Sequence, residues 1–119
     1  MSKLLLVSGD LMLGARVEGA ARQCGLTMVT AAGHAPAIAA SADECRVVLI
    51  DLRTPGLDVA ELVDALRQQT AHLSIIACAP HVHEQRLDEA RRAGCDLVVT
   101  RGQLDREAEA IFQRIVDEI

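Results

Sequence analysis

VVLIDLRTPGLD, residues 47–58, carries four apolar side chains into an aspartate and then into a turn. Four consecutive apolar residues bounded by a turn predict a short strand buried on both faces, because a half-exposed strand alternates instead. Asp51 therefore stands at a strand end, and Thr54, Pro55 and Gly56 supply the turn before Asp58. Whether that carboxylate is a nucleophile or only the polar end of a strand is the question the stretch raises.

Runs of the same kind recur at residues 4–7, 26–29, 73–79 and 97–99. Largely continuous rather than alternating apolarity predicts a parallel sheet covered on both sides. Helical stretches lie between the runs. Leu13, Val17, Ala20, Ala21 and Cys24 share a face of the first, and Val59, Leu62, Val63 and Leu66 a face of the third. Leu104, Ala108, Ile111, Phe112, Ile115 and Ile119 stripe the last. Asp10 and Asp58 sit where helix N-caps belong, Gly25 and Gly94 where helices end, and Pro36 suits a first turn. The second helix, alanine-rich, is expected over residues 34–43. Strand and helix thus alternate five times, which predicts one α/β domain over residues 1–119: a doubly wound five-stranded parallel sheet of flavodoxin-like (βα)5 type with right-handed crossovers.

Sheets of this class place their working site outside the carboxyl ends of the strands, where the strand order reverses. With the order 2-1-3-4-5, that crevice is bounded by Ser8, Gly9 and Asp10 after the first strand and by Asp51 after the third. Ala79 and Arg101, taken as the ends of strands four and five, would flank it.

Composition narrows the partners. The net charge is −5 and only one residue is aromatic, Phe112, so neither a phosphate-binding surface nor a base-stacking platform is expected. No nucleic-acid or membrane partner is predicted, since the longest apolar run is far below the ~20 residues of a membrane span. Cys24, Cys45, Cys78 and Cys95 have no zinc-type spacing and no secretory leader is expected, so they read as small core residues in a reducing cytoplasm. The segment SGDLMLG, residues 8–14, has the glycine spacing of a phosphate loop, but Ala15 and Arg16 stand where Lys-Ser/Thr should follow; a tight strand-to-helix turn is expected. CAPHVH, residues 78–83, offers Cys78, His81 and His83 to a metal without a fourth ligand, and helix-capping histidines are the expectation.

Along its whole length the chain resembles the bacterial response-regulator receiver family of two-component systems. The segments that carry the resemblance are KLLLVSGD, VVLIDLRTPGLD, SIIACAP and AGCDLVVTRG. The resemblance makes Asp51 the candidate phosphoacceptor. It also implies a Mg²⁺ site formed by an acidic pair after the first strand together with that aspartate, and here the pair falls on Ser8 and Gly9. Asp10 is one residue later, leaving Asp10 and Asp51 as the metal candidates. The hydroxyl residue that grips a phosphoryl group falls on Ala79, the lysine on Arg101 followed by Gly102, and the switching aromatic on Val98. Arginine is a broad planar fork and lysine a compact ammonium, so that exchange is not conservative.

The expectation is an atypical receiver, a pseudo-receiver that acts as a protein-interaction module with a degenerate Mg²⁺-dependent phosphorylation site. In it Asp51 and Arg101 pair directly. No enzyme and no resident cofactor are expected, because no nucleophile, base and acid converge on the crevice. The partner is a histidine kinase, an output domain or another signalling protein, with a homodimer through the charged fourth helix (Glu84, Gln85, Arg86, Asp88, Glu89, Arg91, Arg92) as a further option. Two alternatives stay open: a receiver phosphorylated on Asp51 by a histidine kinase, and a small-ligand-binding flavodoxin-like domain. Because Ile119 falls inside an expected helix, the chain is also consistent with the first part of a longer regulator.

Overall fold

A computed structural model describes residues 2–118; Ile119, counted above in the last helical stripe, lies outside them. The elements run β1 Lys3–Val7, α1 Leu11–Gln23, β2 Thr27–Ala31, α2 His34–Ala40, β3 Cys45–Asp51, α3 Val59–Gln69, β4 Ser74–Ala79, α4 Glu84–Arg92, β5 Leu97–Thr100 and α5 Arg101–Asp117. All five strands are parallel, in the order β2-β1-β3-β4-β5.

Alternation across the pleat divides the core. Leu5, Val7, Val48, Ile50, Ile75 and Ala77 join Leu62, Leu66 and Leu87 on one side of the sheet. Leu4, Leu6, Leu49, Ile76, Cys78 and Val99 join Leu13, Val17, Leu104 and Phe112 of α1 and α5 on the other. Burying each large aliphatic side chain contributes roughly 1.5–3 kcal/mol, so these two layers carry the fold without aromatic stacking. The three inner strands, β1, β3 and β4, account for the longest of the apolar runs.

The edge strand β2 departs from expectation. In β2, Thr27 and Thr30 are exposed and Met28 and Val29 only half-buried, because an edge strand has a neighbour on one side alone. The second helix also stops earlier than expected, at Ala40. The hydroxyl of Ser41 donates to Ile38 O at 3.0 Å, capping the last turn, and Glu44 at φ 55° then turns the chain into β3. Of the other punctuation, Gly25 and Gly94 follow the helix ends at φ 76° and 94°, the left-handed geometry in which glycine is least strained.

Candidate functional site

The crevice at the carboxyl ends of β1 and β3 is built from the ends of two largely buried strands. Asp51, the last residue of β3, is 3% exposed, and the Ser8 hydroxyl donates to its Oδ2 at 2.7 Å. The same Ser8 oxygen accepts the Asp10 amide at 3.0 Å, so one side chain ties both loops. The other carboxylate oxygen of Asp51 accepts the Arg53 amide at 3.0 Å and lies 3.8 Å from Arg53 Nε. Buried polar groups must find partners, and each oxygen of Asp51 has one.

Asp10 is committed in a different way. Its Oδ1 caps α1 by accepting from Met12 N at 2.9 Å and Leu13 N at 3.1 Å, as its position in the sequence suggests. Its Oδ2 meets Arg53 Nη2 at 3.1 Å and Arg101 Nη1 at 3.6 Å. The amide of Leu13 is the main influence holding the Asp10 carboxyl below its ordinary value; partial burial opposes it, and Met12 N–H and the two guanidinium groups add to it. Since α1's first amides are spent on Asp10, they are not a phosphate cradle; the segment 8–14 is the tight strand-to-helix turn expected.

The loop after Asp51 is fastened from three sides. The Thr54 hydroxyl lies 2.7 Å from Asp51 O and 3.2 Å from Val7 O, bridging the loop to β1. Gly56 takes φ 72°, Asp58 caps α3 by accepting from Glu61 N at 3.1 Å, and Arg86 Nη1 donates to Leu52 O at 2.7 Å. Arg86, placed above on a charged outer face, therefore acts partly as a strut.

Two expectations need correction here. Arg101 does not end β5 but opens α5, after Thr100 has capped that helix by accepting from Gln103 N at 3.1 Å. Nor does it pair with Asp51. Its guanidinium reaches Asp10, and the cation beside Asp51 is Arg53, because Asp51 lies beneath Ser8 and is approached most directly from its own loop. Sequence spacing does not single out Arg53; its available signal is a basic residue two positions after a strand-end acid.

The remaining positions fall where the topology puts them. Ala79 is fully buried at the end of β4, and Val98, opposite Ala77 in the sheet, is half-buried against the α2–α4 layer. Gly9 is exposed and has no contact that a Cβ would meet. Cys78 lies opposite Asp51 in the sheet; burial first, and the neighbouring Asp51 charge next, push its thiol up to about 12. It is sealed in the core, whereas His81 is exposed and His83, at the N-cap position of α4, makes no side-chain cap bond. Among the described residues no three His, Cys, Asp or Glu side chains are grouped to hold a metal ion.

Compared by sequence, the chain matches no family model and no curated protein. Compared by structure, it superposes on the receiver domain of NtrX from Brucella abortus with a TM-score of 0.82 at 22% identity, covering 98% of this chain and 100% of that one. It matches a CheY-like receiver domain protein from Methanospirillum hungatei at 0.82 and 17% identity, covering 99% and 95%. The signal receiver domain of an HD domain-containing protein from Pseudomonas fluorescens gives 0.82 at 16%, covering 98% and 88%. The fold is the receiver fold.

A receiver fold raises the matter of Mg²⁺, and the residues present do not fit that ion. Magnesium takes near-ideal octahedral oxygen coordination. Ser8 already donates its proton to Asp51, Gly9 has no side chain, and Asp10 offers one oxygen to a helix cap and the other to two guanidinium groups. Between the two carboxylates stands a cation of the chain's own. Among the described residues no helix is long and apolar enough to cross a membrane.

Proposed function

We propose that this chain is an atypical receiver domain of two-component signalling, a protein-interaction module in which phosphorylation no longer sets the conformation. Phosphoryl transfer to a carboxylate rests on positioning and on neutralising the charge of the transferred group. The observation that carries the reading is the engagement of Asp51: Ser8 holds one oxygen at 2.7 Å and Arg53 the other, with Asp10 drawn away by guanidinium groups. Ala79 adds no hydroxyl and Val98 no ring to move. Asp51 is then architecture, and the reading makes the domain a docking module and not an enzyme.

The partner we favour is a protein, either an output domain or another signalling component, met through the exposed mixed-sign face of α4. Asp88, Glu89, Arg91 and Arg92 stand out from that helix, and Arg91 pairs with Asp88 at 2.7 Å. Self-pairing of the same face is the homodimeric version. One observation favours a ligand-binding reading instead, a concavity of about 620 Å³ between the loop after β3 and α4, lined in part by Leu57, Val59, Arg86 and Arg92. A melting shift with a small molecule would point there.

The test is intact mass after incubation with acetyl phosphate and Mg²⁺, alongside Asp51→Asn. The expected result is no adduct under conditions that label an ordinary receiver. A phosphate-sized, base-labile adduct that disappears in the control would overturn the proposal in favour of a working phosphoacceptor.

A further inference from the structure

Two carboxylates brought close together at a strand-end crevice repel each other unless a cation joins them. In this molecule the joining group is Arg53: Nη2 is 3.1 Å from Asp10 Oδ2 and Nε is 3.8 Å from Asp51 Oδ1. We infer that Arg53 is a built-in counter-ion that fills the place where a divalent cation would otherwise link Asp10 to Asp51, so that its charge, added to an incomplete ligand set, keeps metal from the crevice. The inference rests on the receiver reading and deepens it by naming what excludes the ion.

Three features support the assignment. The backbone of Arg53 is fixed independently of its side chain, since its amide donates to Asp51 and the next residue, Thr54, is anchored to both Asp51 O and Val7 O. The guanidinium is therefore delivered to the carboxylates by a rigid loop and needs no folding of its own. A planar fork is also the group that can span two carboxylates at once, which an ammonium does less well. Finally, the local charge balances: Asp10 and Asp51 face Arg53 and Arg101, and a dication entering this set would leave an excess of positive charge. Arg101 lies farther from Asp10, at 3.6 Å, and is not paired with Asp51, so Arg53 is the side chain whose loss takes a positive charge from beside both acids.

Arg53 is also 41% exposed in its side chain, so replacing it leaves the core untouched. The experiment is a Mn²⁺ titration followed by electron paramagnetic resonance on the full chain, comparing wild type with Arg53→Ala and Arg53→Gln, the second retaining a long polar side chain without charge. Mn²⁺ suits a carboxylate site and reports binding directly. Both variants are expected to bind one Mn²⁺ at least about tenfold more tightly than wild type. Adding Asp51→Asn to Arg53→Ala should abolish the gain. Unchanged weak binding in both folded variants, as judged by circular dichroism, would overturn the inference, as would a gain that survives Asp51→Asn. The two proposals fail separately: a wild-type adduct with acetyl phosphate defeats the pseudo-receiver reading, while unlabelled wild type with variants indifferent to Mn²⁺ defeats only the role given to Arg53.

Discussion

The two ends of the sheet use charge in different ways. At the amino ends of β4 and β5, Arg67 Nη1 donates to Leu73 O at 2.7 Å and Nη2 to Gly94 O at 3.0 Å, while also meeting Asp96 Oδ2 at 3.0 Å; that carboxylate in turn accepts Ile75 N at 2.7 Å. At the carboxyl ends, Asp10, Asp51, Arg53 and Arg101 address mainly one another through their side chains. The first set bonds main chain and closes loops, so its purpose is exhausted by the fold. The second contains a buried carboxylate whose ionic partner could be exchanged without moving a strand.

The largest effect should come from the amino end. Arg67→Ala removes two charged-donor bonds to carbonyl groups as well as a half-exposed ion pair, and chemical unfolding followed by circular dichroism is expected to show a loss of about 2–3 kcal/mol, most of it from the carbonyl bonds. A loss comparable to that of Ser8→Ala would erase the contrast between the two ends. Ser8→Ala itself takes the hydroxyl from a buried carboxylate oxygen and should cost about 1.5 kcal/mol in the same measurement. A neutral or stabilised Ser8→Ala protein would mean that water or Arg53 takes over the vacated oxygen.

The smallest effect concerns acid. The folded-state pKa of Asp10 is lowered, so its contribution is present above the unfolded value near 4 and is lost as pH falls through the folded value. Asp10→Asn keeps the helix cap but not the charge. The melting-temperature advantage of wild type over Asp10→Asn should therefore hold from about pH 7 to about pH 5 and shrink below about pH 4. A constant difference down to about pH 3 would remove the ionic role given to Asp10.

The fold was legible because its signals are local and repeated. Buried inner strands read as apolar runs, and Asp10, Asp58, Gly25 and Gly94 mark helix ends by chemistry that each residue carries by itself. The alanine-rich stretch after His34 was harder, since alanine favours helix without indicating where to stop; the stop comes from Ser41 bonding back to Ile38. In the crevice, topology placed Ser8, Asp10 and Asp51 together, and they do meet. The ionic partners did not follow, because they depend on the reach of long side chains. Arg101 begins a helix and reaches only Asp10, while Arg53 reaches both carboxylates from the loop after β3, and sequence spacing does not encode that difference.

The edge strand β2 carries a consequence for behaviour outside the folded state. Its five residues, TMVTA, include no lysine, aspartate, glutamate or proline. Charge and proline are the usual guards against one sheet edge adding to another. With none of them in place, β2 is a point at which loosening of its flanking helices would turn a stability defect into aggregation, as is the other edge strand, β5, and a single lysine at exposed Thr30 would be the economical safeguard for β2.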